Sequence, residues 1–191
     1  PCRRFREDAL RILRCARFAS ELGFRVEEGT LRAGEELAGE AAAVSRERIT
    51  AEWEKCLAGR HFAGALELLP LWEGVFPGLG QLPAEWKAAL CRAPSPESRA
   101  LLLAGGLREV RHGSTPRGTE DWVGAVRELC VPLRMPGNRE RLFREAAGCL
   151  ALPPAESFRE VWRRSADDSL SAYRAALEAA AVADPARRQE L

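Results

Sequence analysis

Glu7 and Asp8 stand directly ahead of three arginines on a three-residue beat, Arg11, Arg14 and Arg17. An ionised Asp only accepts hydrogen bonds, and an Arg only donates them, through a planar fork. Asp8 and Arg11, one turn apart on a helix, would present an acceptor beside a donor. Cytosine and adenine each offer an amino donor beside a ring-nitrogen acceptor, so such a pair accepts both. Uracil and guanine offer the reverse order and leave polar groups unpaired, which a water-excluding site rejects by orders of magnitude. The competing reading is a solvated helix face. Glu7 and Arg11 at i, i+4 then form only an ion pair of about 0.2–0.5 kcal/mol, and the charges serve solubility.

Either reading needs a helix beneath those residues. At about 100° per residue, a helix from Arg6 to Leu22 would gather Arg4, Glu7, Asp8, Arg11 and Arg14 on one face. Phe5, Ala9, Ile12, Leu13 and Ala16 would fall on the opposite face and form core. Gly23 follows as a C-terminal stop. Thr30 is expected to cap a helix through Leu37, Ser45 to cap Arg46–Leu57, and Pro70 to end a short helix over His61–Leu69. Beyond the turn-rich Val75–Pro83, helical spacing recurs over Ala84–Cys91, Pro96–Leu107, Trp122–Leu133, Asn138–Leu150, Pro154–Arg164 and Asp167–Ala183. Arg111–Asp121 reads as a polar loop with Thr119 as the next cap, and Leu150–Glu156 as a boundary before a C-terminal subdomain. Nothing alternates convincingly as a strand. The expected fold is all-α, a multi-helix array of roughly ten short helices. Trp53, Trp72, Trp86, Trp122 and Trp162 are assigned to its core.

Composition narrows the function classes. The chain has 191 residues, 46% hydrophobic and 30% charged, with a net charge of +1. That suits a globular protein and does not by itself announce a polyanion partner. Only Lys55 and Lys87 are lysines; every other basic side chain apart from the two histidines is arginine, the better fork for bases and phosphates. Cys2, Cys15, Cys56, Cys91, Cys130 and Cys149 are scattered, and His61 and His112 have no second ligand nearby in sequence. A zinc site or a disulfide framework is therefore not expected, and a reducing, cytoplasmic setting is. No apolar run approaches the roughly 18 residues of a membrane helix, so no membrane partner is expected. The chain opens at Pro1, directly into helical sequence, and is expected to be cut from something longer.

The segment RRFREDALRILRCARFASELGFRVEEGTLRA (Arg3 to Ala33), followed by VSRERITAEWEKCL (Val44 to Leu57), resembles the neck of class II tRNA nucleotidyltransferases. These are the CCA-adding enzymes and bacterial poly(A) polymerases. Their EDxxR motif stands here as Glu7-Asp8-Ala9-Leu10-Arg11, and their SxERIxxE element as Ser45, Glu47, Arg48, Ile49 and Glu52. The resemblance implies that Asp8 and Arg11 template the incoming CTP or ATP, and that Arg14 and Arg17 are nucleotide ligands. Glu7 would orient Arg11, and the helix of Glu47 and Arg48 would support the neck. It also implies a neck over residues 1–59, a body over 60–150 and a tail over 151–191. Body and tail would hold a tRNA acceptor arm or another RNA 3′ end.

Candidate RNA contacts in body and tail are Arg108, Arg111, Arg117, Arg134, Arg139, Arg141, Arg144, Arg159, Arg163, Arg164, Arg187 and Arg188. Leu68–Leu79 also fits the family, and beyond about Pro83 the likeness thins. Some relatives carry a His-Asp metal motif after an apolar run like Arg99–Leu107; Ala104 and Gly105 occupy that place here, so no metal-dependent phosphohydrolase activity is expected. The family sets a head domain before the neck, whose paired carboxylates hold Mg²⁺ for in-line transfer. No DxD occurs here, and Asp167–Asp168 reads as a helix start, so this chain alone is expected not to catalyse. EDxxR is shared by enzymes adding CCA, CC, A or poly(A), and does not choose among them. Two alternatives stay open: a stand-alone helical RNA-binding module, and a helical scaffold for protein partners.

Overall fold

Apolar residues at helical spacing become helices throughout, and among the described residues there is no strand. The computed structural model describes residues 1–135, 137–150, 175–176 and 178–179. They fall into two compact units. One is Pro1–Leu82 with Pro132–Arg134; the other is Pro83–Val131 with the described residues from Met135 on.

The first unit holds α1 (Cys2–Glu7), α2 (Leu10–Leu22), α3 (Glu28–Glu36), α4 (Arg46–Ala58) and α5 (Phe62–Ala65). Short 3₁₀ helices run over Ala38–Ala43, Leu66–Trp72 and Leu79–Gln81. α2 packs against α4 and α5. Of its expected core face, Phe5, Ile12, Leu13 and Ala16 are buried and Ala9 is half-exposed. Trp53 anchors the interior, with Trp72 edge-on at 4.9 Å and Phe76 at 4.7 Å between ring centroids. Such pairs add about 0.5–1.5 kcal/mol each beyond the area they bury. The C-terminal ends of α2 and α4 come together where Ser20 Oγ donates to the Cys56 carbonyl at 2.6 Å. A Cβ added to Gly59 would lie 2.0 Å from Ser20 Oγ and 2.5 Å from the Ser20 carbonyl oxygen, so only glycine lets the two ends meet.

The local structure departs from the sequence expectation at four places. The first helix is not continuous: Asp8 is extended (φ −155°, ψ 100°), and its carboxylate accepts the Leu10 N–H at 3.2 Å, separating α1 from α2. An Asp competes with the helix for its own backbone, which is why it favours such breaks. The cap of α3 is Glu27, whose carboxylate accepts from the Gly29 and Thr30 amides at 2.8 Å each, not Thr30. Ser45 precedes α4 but makes no side-chain cap bond. Pro70 does not end a helix but sits inside the 3₁₀ turn Leu66–Trp72.

The second unit contains α6 (Ala84–Arg92), α7 (Pro96–His112), α8 (Thr119–Leu133) as far as Val131, and α9 (Gly137–Leu150). α7 starts in a reciprocal Ser95/Ser98 capping box with Pro96 at its first position, and runs past the expected end to Gly113. The Trp86 and Trp122 rings meet edge to face, 6.4 Å apart. A Cβ on Gly105 would come within 2.6 and 2.7 Å of them, so only a glycine fits between the two rings. Arg108 bridges Asp121 (3.0 Å) and Glu128 (2.9 Å), and Glu128 also pairs with Arg111 and His112. Cys130 is buried, and desolvation pushes its thiol up to about 12, the state of a packing residue. Trp162, the boundary near Leu150–Glu156, the helix over Pro154–Arg164 and most of that over Asp167–Ala183 lie outside the described residues. So do Arg159, Arg163, Arg164, Arg187 and Arg188.

Candidate functional site

The break between α1 and α2 decides where the charged residues stand. Asp8 occupies the turn and Arg11 the first turn of α2, with 29% and 39% of their side-chain surfaces exposed. Arg48, on α4, reaches Asp8 from the side, its Nη2 lying 3.3 and 3.4 Å from the two carboxylate oxygens. Arg11 donates from one nitrogen, Nη1, to the Arg4 carbonyl at 3.2 Å and to Glu7 at 3.4 Å. Glu7 is also paired with Arg3 at 3.3 Å. Both groups retain capacity. A carboxylate has about four lone-pair sites and a guanidinium five N–H donors, and Arg11 Nε and Nη2 have no partner among the described residues.

Arg14, one turn further on, is still 43% exposed; at Arg17, two turns on, the setting reverses. Arg14 Nε donates to Glu52 Oε1 at 3.1 Å. Arg17 Nε lies 2.5 Å from Glu52 Oε2, without hydrogen-bond alignment, and its Nη1 donates to Glu21 at 2.6 Å. The guanidinium also rests 4.0 Å over the Phe18 ring, a cation–π contact. Glu52 is 6% exposed, so α4 supplies a buried carboxylate shared by two arginines of α2.

Of the residues singled out from sequence, Glu7, Asp8, Arg11 and Arg48 come together at the turn. Arg14 and Arg17 gather instead on Glu52. Glu47 is exposed and makes no hydrogen bond or ion pair among the described residues. Sequence reasoning quoted Glu52 but overlooked its part. The signal was there: Ile49, Glu52, Trp53 and Cys56 recur at i, i+3, i+4 and i+7, so the carboxylate sits on the core stripe of α4 and must find a cation.

Residues 23–81 match a family model described as "Probable RNA and SrmB- binding site of polymerase A". The chain is 38% identical over 155 residues to the CCA-adding enzyme of Geobacillus thermodenitrificans, covering 73% of this chain and 38% of that enzyme. Against the CCA-adding enzyme of Geobacillus stearothermophilus it is 51% identical over 155 residues, again 38% of the relative. Its fold matches the crystal structure of the Bacillus stearothermophilus CCA-adding enzyme in complex with CTP, with a TM-score of 0.59 and 28% identity. That match covers 98% of this chain and 47% of the solved one. Over the residues matched, the chain is similar to CCA-adding enzymes.

It spans less than half the length of these CCA-adding relatives. Among its described residues, no three or more Asp, Glu, His or Cys side chains cluster in a way that could hold a metal ion. What the site provides is an acceptor and a donor at the mouth of a helix–helix seam, each held by a neighbour.

Proposed function

We propose that these residues are the base-selecting and RNA-binding portion of a nucleotidyltransferase that adds CMP and AMP to the 3′ end of tRNA. The observation that carries this reading is the pairing of Asp8 and Arg11 on the α1–α2 turn, part-exposed and incompletely engaged. A cytosine or adenine edge brought there gives its amino N–H to Asp8 and accepts at its ring nitrogen from Arg11. Uracil and guanine bring a carbonyl to Asp8 and a ring N–H to Arg11, which leaves two like groups facing each other at each contact. Arg48 holds the Asp8 carboxylate in place and Glu7 steadies Arg11.

The Glu52 clamp favours a positioning role for Arg14 and Arg17 over direct nucleotide contact. Neck, body and tail are assigned to residues 1–59, 60–150 and 151–191, with the RNA on body and tail. Phosphoryl transfer, with its divalent metal, is assigned to the portion of the relatives that these residues do not span. The relatives' names favour CCA addition over poly(A) synthesis.

The test is nucleotide choice in the full-length enzyme carrying Asp8→Ala or Arg11→Ala, assayed on tRNA lacking its 3′ CCA. Each variant is expected to lose at least 100-fold in discrimination of CTP and ATP from UTP and GTP, of the order seen when a polar edge loses its partners. Variants that still exclude UTP and GTP as the wild type does would end the templating reading.

A further inference from the structure

A groove of about 590 Å³ opens at the C-terminal end of α2, lined in part by Phe24, Arg25, Arg60, His61, Glu67 and Leu68. It lies at the far end of the helix from Arg11; thirteen residues of α2 span about 20 Å. The local sequence builds it. Gly23 takes φ 72° and turns the chain out of α2, and His61 packs against that glycine while its backbone N–H donates to the Ser20 carbonyl at 2.8 Å.

Three features set the groove apart from an ordinary surface hollow. First, the residue after a C-terminal helix glycine commonly packs back on the last turn, yet Phe24 is 62% exposed. Second, the arginines of α2 and α4 each have a partner, whereas Arg25 and Arg60 have neither a hydrogen bond nor an ion pair among the described residues. Third, the groove has the size of small-molecule sites, which run about 300–1,000 Å³. An exposed aromatic face beside unpaired guanidinium groups is how single-stranded nucleic acid is held: a base stacks on the ring and the cations take the phosphate. Glu67 is the one acid in the lining. A base amino group gives it a partner that a bare phosphate does not.

We propose that this groove binds one nucleotide of a single-stranded RNA segment, its base stacked on Phe24 and its phosphate between Arg25 and Arg60. It is a subsite separate from Asp8 and Arg11, and it rests on the RNA-binding reading above.

The experiment is fluorescence anisotropy of the 191-residue chain with a labelled oligocytidylate eight nucleotides long, across a salt series. Arg25→Ala/Arg60→Ala is expected to weaken binding at least tenfold. It should also flatten the slope of log K against log salt by about 0.7–1.4, the value for one or two lost single-strand phosphate contacts. Phe24→Ala is expected to weaken binding about 5- to 150-fold, the range for one stacked base, and Arg60→Lys to keep the salt slope. Thermal melts confirm that the variants fold; an unfolded double variant leaves Phe24→Ala and Arg60→Lys to decide.

Binding and slope equal to wild type in the folded variants overturn the subsite. So does displacement of the oligonucleotide by inorganic phosphate as readily as by CMP, which marks an anion site only. A change of oligomeric state in Phe24→Ala overturns it too, in favour of a contact between copies. No salt-sensitive binding by the wild type removes the RNA-binding reading and the subsite together. Nucleotide choice in Asp8 and Arg11 variants is read separately, so either reading can fall alone.

Discussion

At the start of α2, Asp8 and Arg11 keep 29% and 39% of their side-chain surfaces exposed; two turns on, Arg17 keeps 14% and its partner Glu52 keeps 7%. Residue type and spacing are the same along this ridge, so neither explains the change. Helix pitch does. A step of three residues falls about 60° short of a full turn, so the ridge winds from the open side at Arg11 into the α2–α4 seam at Arg17. Ion pairs at the open end are long, 3.3–3.4 Å around Asp8 and Glu7. A new partner could reach Asp8 and Arg11 there without breaking a buried pair. At the closed end, Arg17 approaches Glu52 to 2.5 Å and a new ligand would have to break a buried pair. One motif thus divides into a part that can be re-partnered and a part that fixes the helix carrying it.

Glu52→Ala should break this contrast most visibly. Removing one partner of a buried pair leaves the other charge uncompensated and costs about 3–5 kcal/mol. Urea unfolding should show a clearly lower midpoint with an unchanged m-value. A loss under about 1 kcal/mol, the level of an exposed pair, would mean that the two ends of the ridge do not differ. Arg48→Ala is the matched substitution at the open end, where the pair is 52% and 29% exposed. Its expected cost is about 0–1 kcal/mol and should shrink further with added salt. Its effect should appear instead in nucleotide choice, because Asp8 loses the guanidinium that orients it. If Arg48→Ala destabilises as much as Glu52→Ala, the open end is structural after all.

How much of this was legible depended on whether the determining contact was local. The core face of α2 was readable because burial of Ile12, Leu13 and Ala16 follows from periodicity alone. The stop at Gly23 was readable because a left-handed residue there is a backbone matter. The break at Asp8 was not, since one carboxylate accepting the Leu10 N–H decided it against a strong helical pattern on both sides. The fate of Arg14 and Arg17 was further out of reach: it depends on Glu52, thirty-eight residues from Arg14. Only an acid on the apolar stripe of α4 hinted at it. Periodicity also cannot say that Gly105 is required by two tryptophans from other helices.

Glu27 sharpens the comparison with a third kind of carboxylate, held by backbone amides and not by arginine. It accepts from Gly29 N and Thr30 N at 2.8 Å each and from Thr30 Oγ1 at 3.0 Å, against a single amide for Asp8. Those amide bonds, Gly29 first, hold its carboxyl below the ordinary glutamate value of 4.5. A depressed folded pKa contributes stability that is fully present above the unfolded value and lost as pH falls through the folded one. The start of α3 should therefore stay capped to below pH 4.5 and loosen only under stronger acid. Amide shifts of Gly29 and Thr30, followed by NMR through an acid titration, should move together with a midpoint below 4.5. Glu27→Gln keeps an acceptor but removes the charge, so it should abolish that shared titration while leaving the cap largely in place. A midpoint at or above 4.5 would show that the exposed cap is too weakly made to count. Carboxylates here would then divide only by burial, with Glu52 on one side and Asp8 and Glu27 together on the other.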